Sequence, residues 1–164
     1  AREFSYSPYS KFRVGAALLT SDGTLIKGAN IENASYGGTI CAERTAIVKS
    51  ASEGKRSFAA LAVVTTRRVT PSASQSRLQN KSNPFLSFLA SDVNSAISPC
   101  GLCRQVIREF CAQDMPIFLV PANYLQASKD SGNIEQGGLK QTSIGELLPD
   151  SFGPEHLDLP RGMA

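Results

Sequence analysis

Residues 41–66 read CAERTAIVKSASEGKRSFAALAVVTT. The first part, CAERTAIVKSASE (41–53), is rich in strong helix formers, and Gly54 stands where a helix stops. The second part, SFAALAVVTT (57–66), is an almost continuous apolar run, which fits a strand covered on both faces. A helix leading into a buried strand points to a layered α/β domain. Towards the N-terminus, FRVGAALLT (12–20) and TLIKGAN (24–30) flank the turn signal Ser21-Asp22-Gly23 and predict an antiparallel hairpin. Towards the C-terminus, Pro99 and Cys100 open a second helix running to about Gln113, with Val106, Ile107, Phe110 and Cys111 as its apolar stripe. PIFLV (116–120) reads as another buried strand, and a weaker one follows near 139–142. Ser143 with Glu146 forms a capping box for a short helix ending at Pro149. The order hairpin, helix, strand, helix, strand predicts a mixed sheet of about five strands.

The whole chain has 164 residues, and at roughly 150 per domain it is expected to form a single domain, 1–164. Its 41% hydrophobic and 19% charged residues exclude a disordered class. No apolar run approaches the roughly 20 residues of a membrane-spanning helix, and no secretory signal opens the sequence. The expected setting is the cytoplasm, with the nucleus as a second compartment, and no membrane partner. Net charge is +3, but residues 67–91 hold Arg67, Arg68, Arg77 and Lys81 with no acid. A nucleic-acid binder needs a basic face interleaved with stacking aromatics. Four cations and two Phe are too few, so a solvated loop is expected there. Residues 67–97, rich in serine and broken by Pro71 and Pro84, read as one long insert, with a short helix within 83–93. The stretch 126–138 reads as a loop.

Four cysteines are present: Cys41, Cys100, Cys103 and Cys111. Without a secretory signal, Cys-x-x-Cys suggests metal or redox chemistry. Cys41-Ala42-Glu43 and Pro99-Cys100-Gly101-Leu102-Cys103 both fall at expected helix starts, where the partial positive charge favours thiolate. Three thiols can hold zinc at three corners of a tetrahedron, with the fourth left for water. Cys111, two turns beyond Cys103 on the apolar stripe, reads as a core residue, and His156, the one histidine, lies in a polar tail. Three thiolates on a dication carry net negative charge, and Arg44 is the cation placed to offset it. Glu43 is the natural proton carrier beside a metal-activated water.

These residues resemble the zinc deaminase signature of a ligand-x-Glu segment followed by Pro-Cys-x-x-Cys. Cysteine as the first ligand resembles the free-nucleoside cytidine deaminases. Longer stretches are similar to that family too: SPYSKFRVGAALLT (7–20), GANIENASY (28–36), ICAERTAIVKSASEG (40–54), SPCGLCRQVIREF (98–110) and ELLPDSFGPEHL (146–157). Together they cover about two fifths of the chain. The resemblance implies a three-layer α/β/α fold and a homotetramer with sites shared between subunits. It implies one Zn²⁺ per chain on Cys41, Cys100 and Cys103, with Glu43 as proton shuttle. Asn30 and Glu32 would bind the ribose hydroxyls. Phe12 and Phe152 would flank the base, and Ala34 and Tyr36 would lie near the sugar, with Ala34, Tyr36 and Phe152 serving a neighbouring subunit's site. The implied reaction is hydrolytic deamination of cytidine and deoxycytidine to uridine and deoxyuridine, with release of ammonia, in pyrimidine salvage. Competing readings are a deaminase of another aminopyrimidine nucleoside, a polynucleotide deaminase and a noncatalytic zinc module. Two departures stand out. Most of the family's usual first helix would precede this sequence, and the segment from 67 to about 95 is some 25 residues longer than the family pattern implies.

Overall fold

The computed structural model describes residues 1–67, 95–122, 124 and 138–157. Five strands form one mixed sheet: β1 (Phe12–Thr20), β2 (Leu25–Ala29), β3 (Phe58–Arg67), β4 (Ile117–Val120) and β5 (Lys140–Thr142), in the order β2-β1-β3-β4-β5. β1 and β2 are antiparallel, as are β1 with β3 and β4 with β5; β3 and β4 are parallel. The β1–β2 turn carries Gly23 at φ +84°. Its Asp22 accepts from Lys55 Nζ at 2.8 Å and Thr24 N at 3.0 Å, and these contacts hold its carboxyl well below the usual carboxylate range. Lys55 follows α1 (Ala42–Ser52), so this pair ties the hairpin to the end of the helix.

α1, α2 (Gly101–Phe110) and α3 (Ile144–Leu147) pack on one face of the sheet. Leu18, Ile47, Leu61, Ile107, Ile117 and Ile144 are completely buried between these layers. Each such side chain contributes about 1.5–3 kcal/mol of burial. Period-two alternation sorts β1 and β3: Ala16, Leu18, Leu61 and Val63 enter this core, while Ala17, Ala62 and Val64 face the other side. Gly28 on β2 makes the closest contact. A Cβ there would stand 2.2 Å from Ala42 O and 2.6 Å from Ala46 N, so only glycine lets the first turns of α1 lie on the sheet.

The second face borders a cavity of about 450 Å³ beside the one-turn 3₁₀ segment Arg2–Phe4. Pro121, Ala122 and Tyr124 line the same cavity, and Tyr124 is helical. The expected hairpin, helices and strands are present. α1 ends at Gly54 as anticipated, with φ +80°, a conformation glycine adopts without a Cβ penalty. α2 is three residues shorter than expected. Cys111 turns to extended backbone to stay in the core, and Pro116 forces the preceding residue out of helix. Ser143 Oγ accepts from Glu146 N at 3.3 Å, one half of the capping box. The Glu146 carboxylate instead accepts from Thr142 Oγ1 at 2.7 Å. The expected helix within 83–93, nearly all of the 67–97 insert and most of the 126–138 loop lie outside the described residues.

Candidate metal centre and active site

Two helix starts meet at one point. Cys41 is the N-cap of α1, Cys100 is the N-cap of α2, and Cys103 sits in the first turn of α2. Cys41 Sγ lies 3.9 Å from Cys100 Sγ, and Cys100 Sγ lies 3.5 Å from Cys103 Sγ. All three sulfurs lie within 4.8 Å of one another. Two sulfurs bound tetrahedrally to one zinc at about 2.3 Å stand about 3.8 Å apart. The donor set therefore fits zinc in both chemistry and spacing. Cys41 is half-buried, Cys103 fully buried and Cys100 exposed, which leaves one open side.

The cluster favours negative charge at Cys41. The Cys103 thiol donates to it and Arg44 lies beside it, pulling its pKa down to about 5. Cys103 holds the proton of that pair and is pushed up, further raised by burial. Arg44 Nη2 lies 3.7 Å from Cys41 Sγ and donates to Thr39 O at 3.1 Å. The offsetting cation is thus where the sequence placed it.

Glu43 lies in the first turn of α1, two residues from Cys41, and is buried. Burial pushes its carboxyl up, and the neighbouring Cys41 thiolate adds to the shift. Although positions i and i+2 do not share a helix face, the first turn lets Glu43 and Cys41 interact.

A second set of residues is tied directly to the thiols. Ile31 exchanges backbone hydrogen bonds with Ile40, at 2.9 and 3.0 Å, and Ile40 precedes Cys41. On its other side, Tyr6 N donates to Asn30 O at 3.0 Å and Glu32 N donates to Tyr6 O at 2.8 Å. This short ladder carries Asn30 and Glu32, both buried, alongside Cys41. Asn30 Oδ1 accepts from Ser5 Oγ at 2.5 Å and Val14 N at 2.8 Å, and Nδ2 donates to Phe12 O at 2.9 Å. Glu32 accepts from Tyr9 N at 2.9 Å, Ser10 N at 3.2 Å and Ser10 Oγ. Burial acts to raise the Glu32 pKa, but these three donors outweigh it and the net shift is downward. Glu32 is thereby held as a carboxylate.

The remaining expected residues are spread around this core. Phe12, partly buried, begins β1 beside Asn30. Ala34 and Tyr36 are exposed on the loop before Cys41, and the Tyr36 ring lies 5.8 Å from that of Tyr9. Phe152 is exposed on the C-terminal segment beside α2. Cys111 is core, and His156 stacks on Phe152 away from the thiols, as the sequence led us to expect. Sequence reasoning missed Ser5 and Ser10, which hold Asn30 and Glu32. It also missed Arg104, which grips Pro99 O at 2.7 Å, Ser98 Oγ at 2.9 Å and Leu147 O at 2.7 Å. Hydroxyls and cations are common on surfaces, and no local pattern marks these.

Comparison with known proteins agrees with this geometry. Residues 1–119 match the model of the cytidine and deoxycytidylate deaminase zinc-binding region. A cytidine deaminase of Sporosarcina psychrophila is 43% identical over 157 residues, covering 96% of this chain and 87% of the relative. One from Halalkalibacterium halodurans is 41% identical over 158 residues, covering 96% and 90%. The crystal structure of a cytidine deaminase from Burkholderia pseudomallei superposes with a TM-score of 0.64 at 37% identity, covering 92% of this chain and 90% of that one. With the thiols, Glu43 and the sheet order all in place, likeness over nearly the whole length puts the chain in the cytidine deaminase family.

Proposed function

We propose that the Cys41–Cys100–Cys103 centre, with Glu43, is where this chain deaminates cytidine and deoxycytidine. The chain is a zinc-dependent hydrolase of its family, and the reaction is cytidine plus water to uridine plus ammonia. The observation that carries the assignment is the convergence of three thiols from two helix N-termini beside one buried glutamate. Cys41, Cys100 and Cys103 would hold the metal. Bound there, zinc would supply an activated water by lowering its pKa well below the roughly 15.7 of bulk water.

The chain's own residues do the rest. Glu43 takes a proton from the attacking water as its oxygen bonds to C4, and delivers it to N3. Glu43 then carries the second proton to the 4-amino group, the C4–N bond breaks, and ammonia leaves. Burial of Glu43 supports this role, since a carboxyl raised by desolvation both accepts and returns a proton readily. Arg44 offsets the negative thiolates. Asn30 and Glu32 orient the sugar. A carboxylate has about four lone-pair sites, and three on Glu32 are taken, which leaves one for a ribose hydroxyl. Phe12 and Phe152 flank the base, and Ala34 and Tyr36 lie near the sugar. The exposure of Tyr36 and Phe152 supports their service to a neighbouring subunit in a homotetramer. We read residues 1–164 as one cytoplasmic domain with 67–97 as an insert, acting in pyrimidine salvage. No described helix is long and apolar enough to cross a membrane.

The test is absorbance loss on adding cytidine to the zinc-loaded protein. Turnover is expected, and Glu43→Gln is expected to lower kcat by about 10²–10⁴-fold with zinc content unchanged. Zinc-loaded wild-type protein that leaves cytidine intact overturns the proposal.

A further inference from the structure

Helix α2 does more than present two thiols. Its last full turn carries Arg108, which is completely buried although a guanidinium stays charged in proteins. Burying a charge is tolerated only where partners meet it. Arg108 Nη2 pairs with the Glu155 carboxylate, and Nε donates to Ser151 Oγ at 3.0 Å. Between these partners lies Gly153, flat against the guanidinium. A Cβ at 153 would stand 2.4 Å from Arg108 Cζ and 2.5 Å from Nη1 and Nη2. Residues 151, 153 and 155 therefore all close on one side chain. Phe152, between them, is turned the other way: it is 56% exposed, and its ring stacks on His156 at 5.3 Å. Its carbonyl accepts from Gln105 Nε2 at 3.1 Å, and Gln105 precedes Arg108 by one turn of α2. The helix that sets Cys100 and Cys103 thus also sets the backbone on which Phe152 stands.

We propose that Arg108 is a positioning residue for the deamination: the segment 151–155 wraps its guanidinium, and this wrapping holds the Phe152 ring as a preformed aromatic wall for the pyrimidine. The inference rests on the reading above in which Phe152 flanks the base. A side chain standing alone on an exposed loop would have to be ordered when substrate binds. A loop already folded around a buried cation has met that cost during folding, and the gain appears as affinity. Phe152 is the group that touches substrate, and Arg108 acts through it.

Steady-state kinetics on cytidine with the zinc-loaded full chain tests this. Arg108→Lys keeps the charge but loses the planar fork. Gly153→Ala leaves Arg108 in the sequence but pushes the guanidinium aside. Glu155→Gln, on a partly exposed side chain, serves if either of the others fails to fold. Each is measured alone and in a Phe152→Ala background. The expected result is a KM raised about 10-fold with kcat nearly unchanged, the signature of lost binding that is uniform along the reaction. In the Phe152→Ala background the same changes are expected to leave KM where Phe152→Ala alone puts it, because coupled residues are not additive. Equal KM effects in both backgrounds, or folded variants with wild-type KM, overturn the proposal. A zinc-loaded wild type that turns over no cytidine would instead overturn the assignment of the site.

Discussion

At the scale of single residues, the centre is governed by charge. Three thiolates around a dication leave excess negative charge, and Arg44 at 3.7 Å from Cys41 Sγ is the cation beside it. The thiol cluster raises the Arg44 pKa and Arg44 lowers that of Cys41, so the two shifts describe one attraction. Arg44→Met removes the cation, and its Thr39 contact, while leaving the ligand set intact. Zinc affinity is expected to fall about 10–100-fold, as for other groups that support metal ligands from outside. Competition against a chelator of known affinity reads this directly, and unchanged affinity would show that the cation does not tune the site. The three thiols, Glu43 and Arg44 stood out in the sequence as a candidate centre, because thiols and a carboxylate at helix starts carry a local chemical pattern and match the family signature. The hydroxyls of Ser5 and Ser10 were not, since Asn30 lies 25 residues from Ser5 and Glu32 lies 22 from Ser10.

At the scale of elements, the position of α1 decides where Cys41 and Glu43 stand. The helix lies against β2 through Gly28, where a Cβ would overlap the backbone of Ala42 and Ala46. Backbone atoms do not step aside as a flexible side chain can. Gly28→Ala is expected to destabilise the fold by about 3 kcal/mol, the upper end for overpacking, and to weaken zinc binding by moving the N-terminus of α1. Urea unfolding and zinc titration check both parts, and a variant as stable as wild type would disprove the contact. Helix α1 and strand β3 were plain in the sequence because helix formers and an apolar run announce themselves locally. The end of α2 was not: Cys111 is drawn to extended backbone by burial, which helical periodicity does not encode.

At the scale of the molecule, the exposed apolar residues are informative. Tyr36, Leu102, Phe152, Tyr6 and Val48 are each more than half exposed. Tyr36 and Tyr6 belong to segments around Cys41, Leu102 sits between two thiols, and Val48 faces out from α1. Large apolar side chains left outside commonly mark contact between chains. Sedimentation of the zinc-loaded protein is expected to give four times the 17.5 kDa chain mass, and a 17.5 kDa species at micromolar concentration would contradict shared sites.

By itself the sequence determined the α/β class and the mixed sheet, and it singled out three thiols, Glu43 and Arg44 as the candidate centre. These rest on periodicity, helix-start chemistry and short spacings, which act between residues close in the chain. Only the tertiary structure decided that Ile31 and Ile40 pair to bring the segment of Asn30 and Glu32 alongside the chain entering Cys41, that Gly28 seats α1, and that Arg108 gathers residues 151–155. Those contacts join residues from 9 to 47 positions apart, and no local rule of charge or hydrophobicity selects one such pairing. Close packing does, because the layers must fill the core and give most buried polar groups a partner at once.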